Sequence, residues 1–361
     1  MPHIGSREVA VVAFAQSDHV RRLEHQNEVE LVMPVLHGVK STLGITQEDI
    51  DFTCSGSTDY LAGAAFSFVQ ALDGVGAWPP ITESHVEADG AWALYEAWVK
   101  IQTGQADTAL VYSYGKSSPG SLRDVLSRQL DPYHQAPLWP DSIALAALQA
   151  RACLDAGVTT VEEMAAVAVR SRRSAATNPH ALLRVSEEAD VLLKEPELAA
   201  PLRRHDCPPI TDGAAAIVLA AGDRARELAE RPAWIDAIDH RTDAHSMGVR
   251  DLTVSGSTRL AGEKAGVGRA PVDVAELHAP FTHQEVLLRR ALGLGEGVDV
   301  NPSGGALAAN PMMAAGLVRI GEAAARIMAG GAQRAVAHAT SGPCLQQNLV
   351  CVLTGSTGGG A

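Results

Sequence analysis

"VDVNPSGGALAANPMMAAGLVRIGEAAARIMAGG" (298–331) is the stretch on which the fold turns. A glycine turn at Gly304 and Gly305 opens a long segment with helical spacing, and "GGAQRAVAHATSG" (330–342) then reads as a buried strand. The first half of the chain carries an echo. "DGAWALYEAWVKIQTGQ" (89–105) is a helix behind a Gly-bearing turn, and "GQADTALVYSYG" (104–115) is the strand that follows. Turn, helix and strand thus occur twice, which points to a duplicated βα unit.

The flanking segments fit the same plan. "EVAVVAFAQ" (8–16) and "DIDFTCSGS" (49–57) are apolar runs of strand length, and "NEVELVMPVLHGVKSTLGI" (27–45) has helical spacing up to Gly44. "AWIDAIDHRTD" (233–243) opens a second series, in which "AELHAPFTHQEVLLRRALGL" (275–294) is strand, turn and helix. Strands alternating with helices predict a parallel α/β sheet. Residues 117–209 break the rhythm with Pro, Ser and polar residues, and are expected to form a large excursion where a binding region sits. The expected organisation is a first half over 1–230 holding that excursion, a second half over 231–355, and a frayed tail over 356–361.

Bulk properties narrow the function. A net charge of −13 argues against nucleic acid, which requires a basic face, but leaves room for an anionic small molecule met by a few local arginines. The 5 cysteines are widely spaced without a CxxC pair, so no structural zinc or disulfide framework is expected and a reducing cytoplasm is the expected setting. No run of apolar residues is long enough for a membrane span.

Five blocks, in order, resemble the thiolase superfamily, specifically the sterol-carrier-protein-type thiolases and bacterial lipid-transfer relatives. They are "VAVRSRRSAATNPHALLR" (167–184), "LRRHDCPPITDGAAAIVLA" (202–220), "AELHAPFTHQEVLLRRALGL" (275–294), "VNPSGGALAANPMMAAG" (300–316) and "LQQNLVCVLTG" (345–355). The resemblance implies two βαβαβ halves forming a five-layered α-β-α-β-α sandwich with a loop domain inserted in the first half. It also implies coenzyme A thioesters as ligands, no permanently bound cofactor, and a homodimer or a heteromer with a thiolase-like paralogue. A small acyl-CoA-associated protein with an OB-fold and a zinc ribbon is a further implied partner.

Departures from the family pattern matter as much. Gly90, aligned with the glycine of the family's "CSSG" turn, places Glu87 at the buried position where the acyl-accepting Cys is expected; Pro280 replaces the Cys of "HDCF", and Asn310 the His of "GHP". His278 keeps the first position of "HDCF", which in the family helps build the oxyanion site. The candidate catalytic residues are His278, Glu87, His85 and Asn310. A carboxylate or imidazole can serve as base, and an amide N–H can donate to an enolate oxygen but cannot shuttle a proton. Asp89, a ready helix N-cap, is also a candidate for substrate contact, with Ser303, Gly304, Gly305 and Gly342. Arg172 and Arg173, in a cluster with Arg170 and Arg184, are candidates for coenzyme A phosphates. His283 and Cys344 are weaker candidates, and no metal site is expected.

Two readings compete. One is an enzyme without a cysteine nucleophile, cleaving a C–C bond of a β-hydroxyacyl-CoA by retro-aldol chemistry in lipid or steroid side-chain breakdown. The other is a non-catalytic acyl-CoA-binding or scaffolding subunit of a heteromeric complex. Glu87, His278 and Asn310 facing one cavity at the dimer-side end of the two halves, with hydrogen-bond reach between them, favours the first; a cavity plugged by Trp92, Met312 or Met313 favours the second.

Overall fold

The computed structural model describes residues 7–63 and 65–356, so of the expected tail all but Ser356 lies outside the described residues. Its strands are β1 (Val9–Gln16), β2 (Phe52–Gly56), β3 (Glu83–Val86), β4 (Thr108–Gly115), β5 (Glu197–Ala199), β6 (Leu202–Arg203), β7 (Gly213–Ala221), β8 (Ala233–Thr242), β9 (Val274–Leu277), β10 (Asp299–Val300), β11 (Arg334–Ser341) and β12 (Gln347–Thr354). Ten of them join in the order β10-β9-β11-β12-β8-β1-β7-β4-β2-β3. Read outward from the β8–β1 junction, the two halves repeat one another strand for strand, as the sequence echo implies. The junction itself is short, with Ala10 opposite Trp234 and Val11 opposite Ala233.

The sheet is mixed, which corrects the all-parallel expectation. β2 is parallel to β3 and β4, and β9 to β10 and β11. The pairs β4–β7, β7–β1, β8–β12 and β12–β11 are antiparallel. The reason lies in burial. A strand covered on both faces reads as a continuous apolar run whatever its direction, so composition cannot report direction. β3 is a second difference: "ESHV" reads as a polar turn, but its register with β2, from Thr53–Glu83 to Gly56–Val86, makes it an edge strand.

Five layers follow from which face each side chain takes. Val9, Val11, Ile217 and Leu219 from the first half, with Ala337, Leu349 and Cys351 from the second, face a shared middle layer. That layer is made of two helices, Gly90–Gln102 and Ala315–Met328, which supply Leu94, Ile101, Leu317 and Ile320 among others. The opposite face of the first half, through Ala10, Leu110 and Val218, packs on helix Glu28–Leu43 and its neighbours. The opposite face of the second half, through Leu277, Val336 and Val350, packs on helices Gly256–Ala265 and Thr282–Ala291. Each fully buried Leu or Ile in such a layer contributes roughly 1.5–3 kcal/mol. Small residues permit the close approach: a methyl group at Gly321 in the second central helix would collide with the Phe14 ring of β1.

Helix ends explain how the layers are locked. Helix Glu28–Leu43 has its own capping box, Asn27 with Glu30, and stops at the left-handed Gly44. The first central helix is capped by Asp89. The second central helix begins after Ala314, which has no side chain able to cap it. Its cap comes from the other half, as described below. The excursion lies between β4 and β7 and carries helices Leu122–Ser127, Ser142–Asp155 and Val161–Ala175 and the β5–β6 hairpin.

Candidate functional site

A cavity of about 810 Å³ opens where β2, β3, β9 and β11 end, and it is lined from both halves and from the excursion. Ligand sites in α/β proteins gather at the carboxyl ends of strands, where chain leaves the sheet and side chains become available. Leu122, Leu126, Leu130, Ile143 and Leu145 of the excursion give it apolar walls. Arg21, Arg123, Arg172, Arg184 and Arg204 also line it, a concentration of guanidinium groups in an acidic protein. Burial lowers the Arg172 pKa from its ordinary value.

His278 and Asn310 meet in this cavity. His278 directly follows β9, and its Nε2 lies 3.1 Å from Asn310 Oδ1. The backbone N–H of Thr340 points at Nδ1 from 3.4 Å. A backbone amide can only donate, so Nδ1 is the acceptor and Nε2 carries the proton, which it donates to Asn310. Burial, then the nearby His338 and Arg319, push the His278 pKa down to about 3. The imidazole is therefore neutral with its proton committed, and the Asn310 Nδ2 amide remains as a donor. Asn310 is in turn held by its backbone N–H, which donates to Thr211 Oγ1 at 2.9 Å.

Asp89 joins the two halves. Its carboxylate accepts from Ala91 N at 2.9 Å, the cap of its own helix, and from Gly316 N at 2.8 Å and Leu317 N at 3.0 Å, the uncapped start of the second central helix. One carboxylate thus satisfies orphan N–H groups of two helices and meets the positive ends of both dipoles. Burial pushes its pKa up to about 6, the backbone N–H groups and Arg319 opposing. Asp89 lies on the cavity wall, but its oxygens are engaged in capping. Asp89→Ala leaves three buried N–H groups without an acceptor, and is expected to lower unfolding stability by about 3 kcal/mol. Urea denaturation at pH 7 checks this; an unchanged midpoint would show that the shared cap carries no weight.

Glu87 lines the same cavity, but it is exposed rather than buried, with 52% of its side chain accessible. The nucleophile position of the resemblance thus faces the open side. Thr58 Oγ1 donates to Glu87 Oε1 at 2.6 Å and the Asp59 N–H at 2.8 Å, while His85 Nε2 lies 3.4 Å from Oε2. His85 does not line the cavity. It stands behind Glu87, with Nδ1 3.0 Å from Ser55 Oγ and its ring stacked on Phe68 at 4.4 Å. The edge position of β3 produces this arrangement, since alternate residues of a strand share a face and bring His85 beside Glu87 just past its end.

Other expected residues are placed elsewhere. Ser303 is buried away from the cavity; its hydroxyl donates to Glu276 Oε2 at 2.7 Å and accepts from Arg319 at 2.6 Å. Glu276 and Arg319 form a buried ion pair at 2.7 Å that fixes the turn 301–305 from beneath. Gly304 and Gly305 serve that turn too: both have positive φ, and a methyl on Gly304 would collide with Ala175. Arg173 forms an exposed pair with Glu188 at 2.7 Å, outside the cavity wall, and Arg170 pairs with the buried Glu285. Gly342, Arg172 and Arg184 do line the cavity. His283 is buried against Gln149, 3.2 Å away. Met312 and Met313 contribute to the wall, and the volume between them and the excursion stays open.

Thr211, Thr340 and the additional arginines 21, 123 and 204 were not singled out from sequence. A lone Thr in a strand-like block carries no distinctive pattern, and these arginines are scattered over almost 200 positions. The duplicated turn did mark where the Asn310 segment lies, and that signal leads to its neighbours only after folding.

No protein-family model matches the chain. An acetyl-CoA acetyltransferase of Methanothermobacter thermautotrophicus is 28% identical over 313 residues, covering 78% of this chain and 79% of that protein. A 17-hydroxy-3-oxo-4-pregnene-20-carboxyl-CoA lyase of Mycobacterium tuberculosis is 24% identical over 318 residues, covering 80% and 79%. Among solved structures, an Ltp2-ChsH2(DUF35) aldolase superposes with a TM-score of 0.81 at 19% identity, over 96% of this chain and 98% of that one. With five layers, a repeated half and these relatives, the chain is similar to proteins of the thiolase superfamily, among them a steroid-CoA lyase, and shares the fold of a lipid-transfer aldolase.

Proposed function

We propose that this protein cleaves a C–C bond of a β-hydroxyacyl-CoA by retro-aldol chemistry, without an acyl-cysteine, in lipid or steroid side-chain degradation. The observation that carries the reading is that Glu87 lines the same open cavity as the bonded pair His278 and Asn310. Glu87 takes the proton of the β-hydroxyl. The Cα–Cβ bond breaks, its electron pair moving into the thioester as an enolate, and the β-carbon leaves as a ketone or aldehyde. The Asn310 amide, oriented by neutral His278, donates to the enolate oxygen, a task that needs donors fixed in advance rather than a titrating group. Glu87 then gives the proton it took up to Cα, directly or through water, which yields the shortened acyl-CoA and restores the carboxylate. His85 holds Glu87 in place.

The thiols on the cavity wall support a mechanism without sulfur. Burial pushes both Cys207 and Cys344 up to about 12, so each is a protonated thiol at neutral pH and a poor nucleophile. The substrate follows from the walls: the arginines suit the phosphates of coenzyme A, and the leucines suit a bulky apolar acyl group. The chemistry draws on no permanently bound cofactor. The relatives named lyase and aldolase support the reaction class. The solved aldolase carries a DUF35 component in its name, and a small partner of that kind, with an OB-fold and a zinc ribbon, is proposed here too, beside self-association or pairing with a thiolase-like paralogue. Among the described residues no helix is long and apolar enough to cross a membrane.

The test is to incubate the chain, alone and with material co-purified from its host, with a steroid-side-chain β-hydroxyacyl-CoA, and to follow the carbonyl product and the shortened acyl-CoA. Both should appear in equal amounts. Thiolysis of a β-ketoacyl-CoA instead, or no cleavage by either preparation, would overturn the reading. A non-catalytic acyl-CoA-binding subunit is the second reading, and one fact favours it: Glu87 bonds Thr58 and Asp59 rather than His278. Tight acyl-CoA binding without cleavage would select it.

A further inference from the structure

The Asn310 turn belongs to the second half, but much of what holds it comes from the first. Gly90 N–H donates to Met313 O at 2.8 Å, and the Ser113 hydroxyl also reaches that carbonyl. Met313 is left-handed, with φ 73°, so its carbonyl is turned by these partners into a conformation that a side chain resists. A methyl group at Gly115 would collide with the backbone of Met312. Thr211 makes the contact nearest the proposed chemistry. It is fully buried, it pairs with Pro311 as an isolated parallel bridge, and its Oγ1 accepts the Asn310 N–H. Pro311 has no N–H to share in holding the turn.

Thr211 is itself firmly anchored. The next residue, Asp212, is buried and accepts from Leu23 N at 2.9 Å and Ser118 N at 3.2 Å, while its own N–H donates to Val20 O at 2.8 Å. The segment where the excursion returns to β7 is therefore tied to two other parts of the first half. A fixed hydroxyl on a fixed segment sets the height of the Asn310 backbone, and hence of its side chain between His278 and the cavity.

We infer that Thr211 is a positioning residue, contributed by the first half, that holds the Asn310 amide donor of the second half in its working place. The inference rests on the proposed role of Asn310 and adds the element that controls it. Loss of the acceptor leaves a buried N–H unpaired and frees the turn to shift, and small displacements of a donor are felt in the rate rather than in binding.

The experiment compares Thr211→Val, which keeps the shape and removes the acceptor, with Thr211→Ser, which keeps the acceptor. Both are made in the full chain and assayed with the same steroid-side-chain β-hydroxyacyl-CoA. Thr211→Val is expected to lose on the order of tenfold in kcat with KM changed less than about twofold, and Thr211→Ser to retain the wild-type rate. The 15N resonances of the His278 ring should shift in Thr211→Val, because the Asn310 oxygen that receives Nε2–H has moved, and should return in Thr211→Ser. A Thr211→Val protein with wild-type kcat and an unmoved His278 resonance would overturn the inference. Should the wild-type chain cleave nothing, the proposed function fails, and the ring resonance alone decides the positioning role. Should Thr211→Val not fold, amide exchange of Asn310 in the wild type decides instead: slow exchange supports the bond, and exchange at the rate of a free amide overturns it.

Discussion

Glu87→Gln is expected to lose on the order of 10²–10⁴ in the rate of C–C cleavage while leaving acyl-CoA binding and unfolding stability near those of the wild type. The amide keeps the size of the carboxylate and can still accept from Thr58 and Asp59, the two groups that orient Oε1. What it cannot do is take a proton. Because Glu87 is exposed, nothing in the core depends on it, so a loss of rate has no structural explanation. Product formation from the β-hydroxyacyl-CoA, measured alongside equilibrium binding of the same thioester, separates the effects. Full turnover by the variant removes Glu87 from the mechanism. His278→Ala probes the other side of the cavity: it removes the partner that orients Asn310 and is expected to lose about 10² in rate.

The second large effect is a loss of stability in mild acid. His19, His278 and His283 are buried with pKa values pushed down to about 3, and His338 to about 4, in each case chiefly by burial. These groups stay neutral in the folded chain and take up protons near pH 6.5 in the unfolded chain. The unfolded state then binds more protons as pH falls below 6.5, so stability rises with pH across this window and is lost as pH falls. Asp89 acts in the opposite sense. Its folded pKa of about 6 lies above its unfolded value, so its proton favours the folded chain as pH drops through 6 and offsets part of the loss. Burial also raises the pKa of Glu276 and Glu83, which act in the same sense as Asp89, and the four histidines against these carboxylates leave a net loss on the order of a few kcal/mol between pH 7 and pH 5.5. Urea unfolding at the two pH values measures it. Equal or greater stability at pH 5.5 would mean that these imidazoles are not held neutral.

The acid response and the chemistry are linked through His278. An imidazole with a pKa of about 3 is too weak a base to hold a proton near neutrality, whereas a neutral donor with a fixed tautomer is useful at any pH where the fold survives. The lower pH limit of the protein's activity is therefore expected to follow unfolding rather than titration of this imidazole.

Much was legible in the chain itself. Apolar runs and helical spacing located β1, β2, β4, β11 and the two central helices, because burial imposes period and composition directly. The echo between residues 89–115 and 298–342 gave the duplicated halves, and the five blocks gave the resemblance to the thiolase superfamily. Asp89 was visible as a helix cap in its own right, whereas His278 and Glu87 were singled out by the resemblance, through the blocks and the turn they occupy. Tertiary structure decided the rest. Strand direction was hidden because a doubly covered strand looks alike either way. Ser303, Gly304 and Gly305 stood beside a conspicuous turn, but only packing showed that they face Glu276, Asn301 and Ala175 rather than the cavity. The shared Asp89 cap and the hold of Thr211 on Asn310 join residues 227 and 99 positions apart. Sequence periodicity records which face of a local element is buried; which distant element lies against that face is fixed only when the layers close.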